Sequence, residues 1–372
     1  MRMDHNFSYY KVPYVTEKLK GIGGKIRTRP DLFIVEEIPA YEPLGYGDHV
    51  YVNLTKSMKT TRETQIELAK IFGLRRENVG HAGLKDKYAV TTQTFSILIM
   101  EIDIKEVICI IESNLGVKVN WVKRHPRKLR SGHLKGNRFN IVVTDLNTSI
   151  VNAKQQAEKI RLAIDQWGIP NYFGIQRFGN DGKNTRDGYG LITGEHREPN
   201  RWLRRYLISS YLSLLCNKYL SERVRIGFFS KLMKGDIAKK HDTGGVFLVE
   251  DPEIEKMRFE AKQISFTAPI FGYKMREPEY EAKRFEEKIF LDSGITLDQL
   301  KKAGAEGTRR LGRLTPDLEI KLHKEGLNIL FNLPSGAFAT TILREIMKAD
   351  ENTKEPEFHD QGDLDHSENC SN

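Results

Sequence analysis

The sequence predicts a mixed α/β fold, α+β in character, shared between two domains. Three observations carry this expectation. The chain has 372 residues, a length that suits two domains. Residues 25–167 alternate short apolar runs of strand character with segments of helical spacing. The stretch Asn171–Gly190 (NYFGIQRFGNDGKNTRDGYG) then breaks the alternation with a glycine-, asparagine- and arginine-rich composition, and strand character returns at Gly326–Phe331.

The elements follow in order. After a polar, tyrosine-rich leader, Leu32–Ile38 and His49–Leu54 read as strands. Thr60–Ile71 reads as a helix: Thr60-x-x-Glu63 is a capping box, and Gly73 supplies a C-terminal stop. A charged loop, HAGLKDKYAVTTQ (81–93), leads to a strand-like run at Phe95–Met100. Ile102–Leu115 is a second helix, stopped by Gly116. Val117–Val122 and Arg138–Val143 are strands, and Ile150–Trp167 is a helix ended by Gly168-Ile-Pro170. A long helix spans Asn200–Arg223, with Trp202, Leu203, Tyr206, Leu207, Leu214 and Leu215 at helical spacing. Residues 224–310 are short elements joined by glycine turns, and LPSGAFATTILREIM (333–347) is a turn leading into a last helix.

The net charge is +9, yet the segment from Ala349 to Asn372 holds eight acids against one base, Lys354. The rest of the chain is therefore more basic than the total suggests, which points to a polyanionic partner. The acidic tail has the composition of a disordered segment. Three cysteines, Cys109, Cys216 and Cys370, stand far apart with no metal-ligand spacing, and the first two lie in apolar runs expected to be core. No apolar run is long enough to span a bilayer and no signal-peptide core is visible, so a soluble, cytoplasmic protein is expected. P-loop, nucleophile-elbow and zinc-protease motifs are absent.

Three groups of residues carry chemistry. Asp86 lies between Lys85 and Lys87, so two cations favour its charged form; the plainer reading is a surface turn with a local ion pair. The segment Trp121–Phe139 contains Lys123, Arg124, Arg127, Lys128, Arg130, Lys135 and Arg138 without one acid, which suits phosphate contacts or, more plainly, a solvated loop. Tyr172, Phe173, Arg177 and Phe178 combine aromatic faces with a guanidinium, which can stack on unpaired bases or pack around a tight turn.

These residues fall in strings that resemble the TruD family of tRNA pseudouridine synthases. FIVEE (33–37), GYGDHVYVNLTKSMKTT (45–61), GLKDKYAVTTQ (83–93), KGNRF (135–139), PNYFGIQRFG (170–179) and LPSGAFATTILRE (333–345) match family motifs in the family's order, over about residues 25–348. The resemblance implies a catalytic domain with a mixed, largely antiparallel sheet from residues 25–172 and 311–348, and an inserted α/β TRUD domain from 173–310. Residues 1–24 form a leader and 349–372 the tail.

It also implies an isomerase that converts uridine to pseudouridine in tRNA, by default at position 13, with no cofactor, no metal and no obligate protein partner. Asp86 matches the catalytic aspartate; Lys85, Asn137 and Arg27 would support its carboxylate. Phe139 matches the aromatic that stacks on a flipped base, and Phe338 a further pocket aromatic. Lys87, Lys123, Arg124, Arg127, Lys128, Arg130, Lys135, Arg138 and Arg177 would contact RNA. An idle RNA-binding relative would be free to lose Asp86 or Asn137; this chain keeps both. A methyltransferase would need a glycine-rich cofactor loop, and a metal nuclease clustered carboxylates; neither is found.

Overall fold

The computed structural model describes residues 12–100 and 102–349. The acidic tail, and with it Cys370, lies almost wholly outside the described residues, as do the first eleven residues of the leader. In chain order the elements are β1 (Gly23–Lys25), β2 (Phe33–Pro39), β3 (His49–Ser57), α1 (Thr61–Ile71), β4 (Val79–His81), β5 (Val90–Leu98), α2 (Ile104–Leu115), β6 (Lys118–His125), β7 (Leu134–Leu146) and α3 (Ile150–Trp167). They continue as β8 (Ile169–Pro170), α4 (Lys183–Thr193), α5 (Arg201–Arg225), β9 (Ile237–Lys240), β10 (Val246–Leu248), α6 (Pro252–Glu260), β11 (Ile264–Ile270), α7 (Tyr280–Leu291), α8 (Leu297–Ala303), β12 (Thr308–Leu311), β13 (Arg313–Leu314), β14 (Leu318–His323), β15 (Gly326–Pro334) and α9 (Ala339–Met347).

Two compact units result. One comprises residues 22–158 and 317–336; the other comprises 159–316 with 12–21 and 337–348. The first is built on a nine-stranded sheet in the order β14-β15-β7-β2-β5-β3-β6, with β1 beside β7 and β4 beside β5. Only β2 and β5 run parallel; the other pairs are antiparallel, so the sheet is mixed and largely antiparallel, as expected. Alternation along β3 and β5 turns Val50, Val52, Leu54, Phe95 and Ile97 to one face, where they form a core with Leu68 and Ala69 of α1 and Val107, Ile111 and Leu115 of α2. Those three α2 residues recur every four positions, which leaves Cys109 on the opposite side of the helix. Cys109 is exposed, not core as its apolar run suggested, whereas Cys216 is buried.

The local signals act where the sequence puts them. Thr60 caps α1, its hydroxyl accepting from Glu63 N–H while the Glu63 carboxylate accepts from Thr60 N–H. Gly116 ends α2 with a left-handed φ of 63°. The strand after the charged loop begins at Val90 rather than Phe95, so Thr91, Thr92 and Gln93 are strand residues. β-Branched threonines favour that conformation.

The second unit is organised around α5, whose Leu215, Cys216, Tyr219 and Leu220 are fully buried with residues of α4 and β11. Its interior also holds two ion pairs, Arg223–Asp236 at 2.6 Å and Arg309–Glu286 at 2.7 Å, each bidentate and therefore strongly directional.

Candidate active site

Between β4 and β5 the chain makes the loop that carries Asp86. The Asp86 side chain is 55% exposed and receives a charge-assisted hydrogen bond from Arg27 Nη2 at 2.9 Å. Arg27 sits in the turn before β2 with φ 58°, a conformation few non-glycine residues adopt. Its guanidinium lies 4.6 Å over the Phe33 ring, which holds it in place by cation–π attraction. The cation seen on Asp86 is thus contributed by a residue 59 positions away.

The lysines beside Asp86 are committed to other carboxylates. Lys85 Nζ bonds Glu37 Oε2 at 3.0 Å, with side-chain exposures of only 3% and 2%, and Glu37 Oε1 also accepts from Thr94 N–H at 3.3 Å. Lys87 Nζ bonds Glu63 Oε1 at 2.9 Å. A buried ammonium must be paired, and the partner of Lys85 is the buried Glu37.

β7 carries Asn137 and Phe139. Cross-strand neighbours share a face of the sheet. One row is therefore Glu37–Asn137–Leu333, and the next is Lys56–Thr91–Val35–Phe139–Phe331. The Asn137 Oδ1 atom is buried and has no hydrogen-bond partner among the described residues. Phe139 is 7% exposed and stacks on Phe331 with centroids 5.1 Å apart and planes 22° from parallel. Lys56, in the same row, is 2% exposed; burial, and then the nearby Lys85 charge, pull its ammonium down to about 8.

The basic segment separates into structural and exposed cations. Arg124 donates to the carbonyls of Gly47, Ile99 and Ile102, pinning three backbone stretches together. The Arg124 guanidinium is thus engaged by protein carbonyls. Lys128 donates to Glu77 O, Arg138 pairs with Glu36 at 3.3 Å, and Lys123 lies 3.9 Å from Glu42. Arg127, Arg130 and Lys135 are exposed. The loop that holds Arg127 and Arg130 is fastened beside the Asp86 loop: Gly132 N–H donates to Ala82 O at 2.8 Å, and Leu129 N–H to Ser96 Oγ at 2.9 Å. Gly80 makes this approach possible, since a Cβ there would stand 2.1 Å from Leu129 O. His81, next to it, is pushed down to about 4 by burial and by the charges of Lys85 and Lys128.

In the second unit Phe338 is the residue before α9 and is 39% exposed. Its ring is 6.1 Å from Phe173, and the Arg310 guanidinium lies 4.0 Å over Phe173. Arg177 lies 4.9 Å over Tyr206 and donates to Ser209 Oγ. Phe178 is core, at 3% exposure.

Four residues around Asp86 escaped the sequence reading: Glu37, Lys56, Thr61 and Gln93. Strand alternation was the available signal. Phe33, Val35 and Glu37 fall on one face, as do Gln93, Phe95 and Ile97, so an acid and an amide were due to be buried beside hydrophobic neighbours. Among the described residues no group of three or more His, Cys, Asp or Glu is arranged to hold a metal ion, and no helix is long and apolar enough to cross a membrane.

Comparison with known proteins agrees with the motifs. The profile of the family described as tRNA pseudouridine synthase D (TruD) matches residues 10–199 and 192–346. The chain is 40% identical over 350 residues to a tRNA pseudouridine synthase D of Thermus thermophilus, covering 94% of this chain and 95% of the relative. It is also 40% identical over 348 residues to one from Anaeromyxobacter dehalogenans, covering 91% and 97%. A crystal structure from Methanosarcina mazei, described as a candidate tRNA pseudouridine synthase D, shares the fold with a TM-score of 0.73 at 24% identity, covering 91% of this chain and 99% of that one. With the family profile spanning nearly all the described residues, the chain belongs to the tRNA pseudouridine synthase D (TruD) family.

Proposed function

We propose that this protein is an isomerase that converts uridine to pseudouridine in tRNA, with position 13 as its target, and that it works in the cytoplasm. The observation that carries the reading is the pairing of an exposed Asp86 with Arg27 on a braced loop, in a chain matched to the family along its length.

The reaction rearranges atoms already present. The bond from ribose C1′ to uracil N1 breaks, the base turns, and C5 bonds to C1′; C5 loses a proton and N1 gains one. No atom is added and no electron leaves, so the balance requires neither a redox nor a nucleotide cofactor. An ionised carboxylate can serve in two ways, as a nucleophile or as a base that removes a ribose proton. Both need Asp86 charged and pointing out of the protein, and Arg27 donates a charge-assisted hydrogen bond to its carboxylate. A stacked uridine must leave its helix to be reached, and an aromatic face compensates for the lost stacking. Phe139 is the proposed aromatic that stacks on the flipped base. Arg127, Arg130 and Lys135 are the proposed phosphate contacts from the basic segment.

Release of the C5 proton gives a direct assay. tRNA transcribed with uridine tritiated at C5 should lose label to water when incubated with the protein, and Asp86→Asn should abolish the release. Retention of all label by the wild-type protein, with the tRNA correctly folded, would refute the reading.

A further inference from the structure

We propose that Thr61 and Gln93 are positioning residues that fix the Asp86 loop in its reactive geometry, an inference that rests on Asp86 being the catalytic carboxylate. Thr61 is the first residue of α1 and is 1% exposed; Gln93 lies within β5 and is fully buried. The Thr61 hydroxyl accepts from Lys85 N–H at 2.9 Å and donates to Gln93 Oε1 at 3.0 Å. The Gln93 amide nitrogen donates to Gly83 O. One relay of side chains therefore grips the loop at two backbone groups, on residues 83 and 85.

The grip continues past Asp86. Glu63, on the same turn of α1 as Thr61, bonds Lys87 Nζ at 2.9 Å while also closing the capping box with Thr60. The N-terminal turn of α1 thus takes hold of the residue on each side of Asp86. That turn is itself fixed from below. Lys56 Nζ donates to Lys59 O at 2.5 Å, in the bend where Met58 has φ 57°. Residues 83, 85 and 87 are held, and the Asp86 side chain stands clear of them at 55% exposure.

A purely packing role does not account for the residue types. Gln93 lies opposite Leu54 on the apolar face of the sheet, where a leucine would pack without needing a partner. Instead both buried groups spend their hydrogen bonds on each other and on loop backbone. Reactive groups lose rate steeply when displaced, about 10²-fold for a shift near 1 Å.

The test is single-turnover kinetics with tRNA binding measured alongside, at a temperature where circular dichroism shows each variant folded. Thr61→Val and Gln93→Met should each slow the chemical step by about 10- to 100-fold with tRNA affinity within about threefold of wild type. Thr61→Ser, which keeps the hydroxyl, should stay within about threefold in both. If Thr61→Val does not fold, Gln93→Met alone decides. A turnover rate for folded Gln93→Met within twofold of wild type, while Asp86→Asn is inactive, would overturn the inference. Activity in Asp86→Asn would instead refute the catalytic role of Asp86 on which the inference rests, and no activity in the wild-type protein would refute the proposed function, so the failures are separable.

Discussion

Replacing Lys85 with methionine tests how the lysine beside Asp86 acts. Its ammonium bonds Glu37 at 3.0 Å where both side chains are at least 97% buried, and the remaining Glu37 oxygen accepts from the Thr94 amide. Lys85→Met leaves that carboxylate buried without a cation, a change that typically costs about 3–5 kcal/mol. For a cooperative unit of this size, each kcal/mol moves the midpoint by about 2–4 °C, so Tm should fall by roughly 6–20 °C. The double variant Lys85→Met/Glu37→Leu removes both charges and should recover most of the loss, since apolar replacement of a whole buried pair is often neutral. Calorimetry and denaturant melts of the three proteins measure this. If Lys85 acted instead as the electrostatic partner of Asp86, Lys85→Met would lose activity and keep its Tm, and the double variant would regain nothing. A Tm for Lys85→Met within about 2 °C of wild type would refute the reasoning.

Further outcomes follow from the same geometry. Arg27→Met should slow turnover and leave tRNA affinity within a few fold, because the contact it loses is to Asp86; parallel loss of binding and rate would show that Arg27 serves RNA instead. Phe139→Ala should lower stability by about 3–5 kcal/mol as well as activity, because the ring is 7% exposed and stacked on Phe331; thermal melts check the first and turnover the second. Neutralising Arg127 and Arg130 together should make the slope of log affinity against log salt shallower by about one to two units, and an unchanged slope would return that loop to plain solvation. His81 is held near 4 in the folded state against about 6.5 unfolded, so its neutral form supports the fold above about pH 6.5. As pH falls from about 6.5 to about 4 the unfolded state binds the extra proton, and stability should drop by up to about 3 kcal/mol. A His81→Gln variant should show a smaller acid-side loss of Tm than wild type.

Much of this architecture was legible because local signals coincided with it. The Thr60-x-x-Glu63 string formed its capping box, Gly116 ended α2, and Ile150–Trp167 formed α3 with the bounds its spacing gave. The strand order was not legible, since it depends on pairings such as β2 with β7 that join residues about a hundred positions apart. The edge hairpin partner β14 was missed although Leu318–His323 (LEIKLH) alternates apolar and polar residues, a strand signal that was available in the sequence. The sequence boundaries at 172/173 and 310/311 kept Ile150–Trp167 whole within one domain. The compact units instead divide at 158/159, inside α3, because packing and not element ends sets the division. At the site, the acid could be singled out by its charged neighbours, but its partner could not. Adjacent lysines on an exposed loop point where burial allows, and a buried carboxylate on β2 captured Lys85. The same limit holds at Arg124, since composition cannot tell a solvated guanidinium from one that donates to three carbonyls.

The most direct measurement is a pseudouridine map. Unmodified tRNA is incubated with the protein in EDTA, labelled with a reagent that arrests reverse transcription at pseudouridine, and read base by base. One new stop at uridine 13, absent with Asp86→Asn although that variant still binds the tRNA, is the predicted result. No pseudouridine anywhere in correctly folded tRNA, or an undiminished stop with Asp86→Asn, would contradict the claim that this chain isomerises uridine through Asp86.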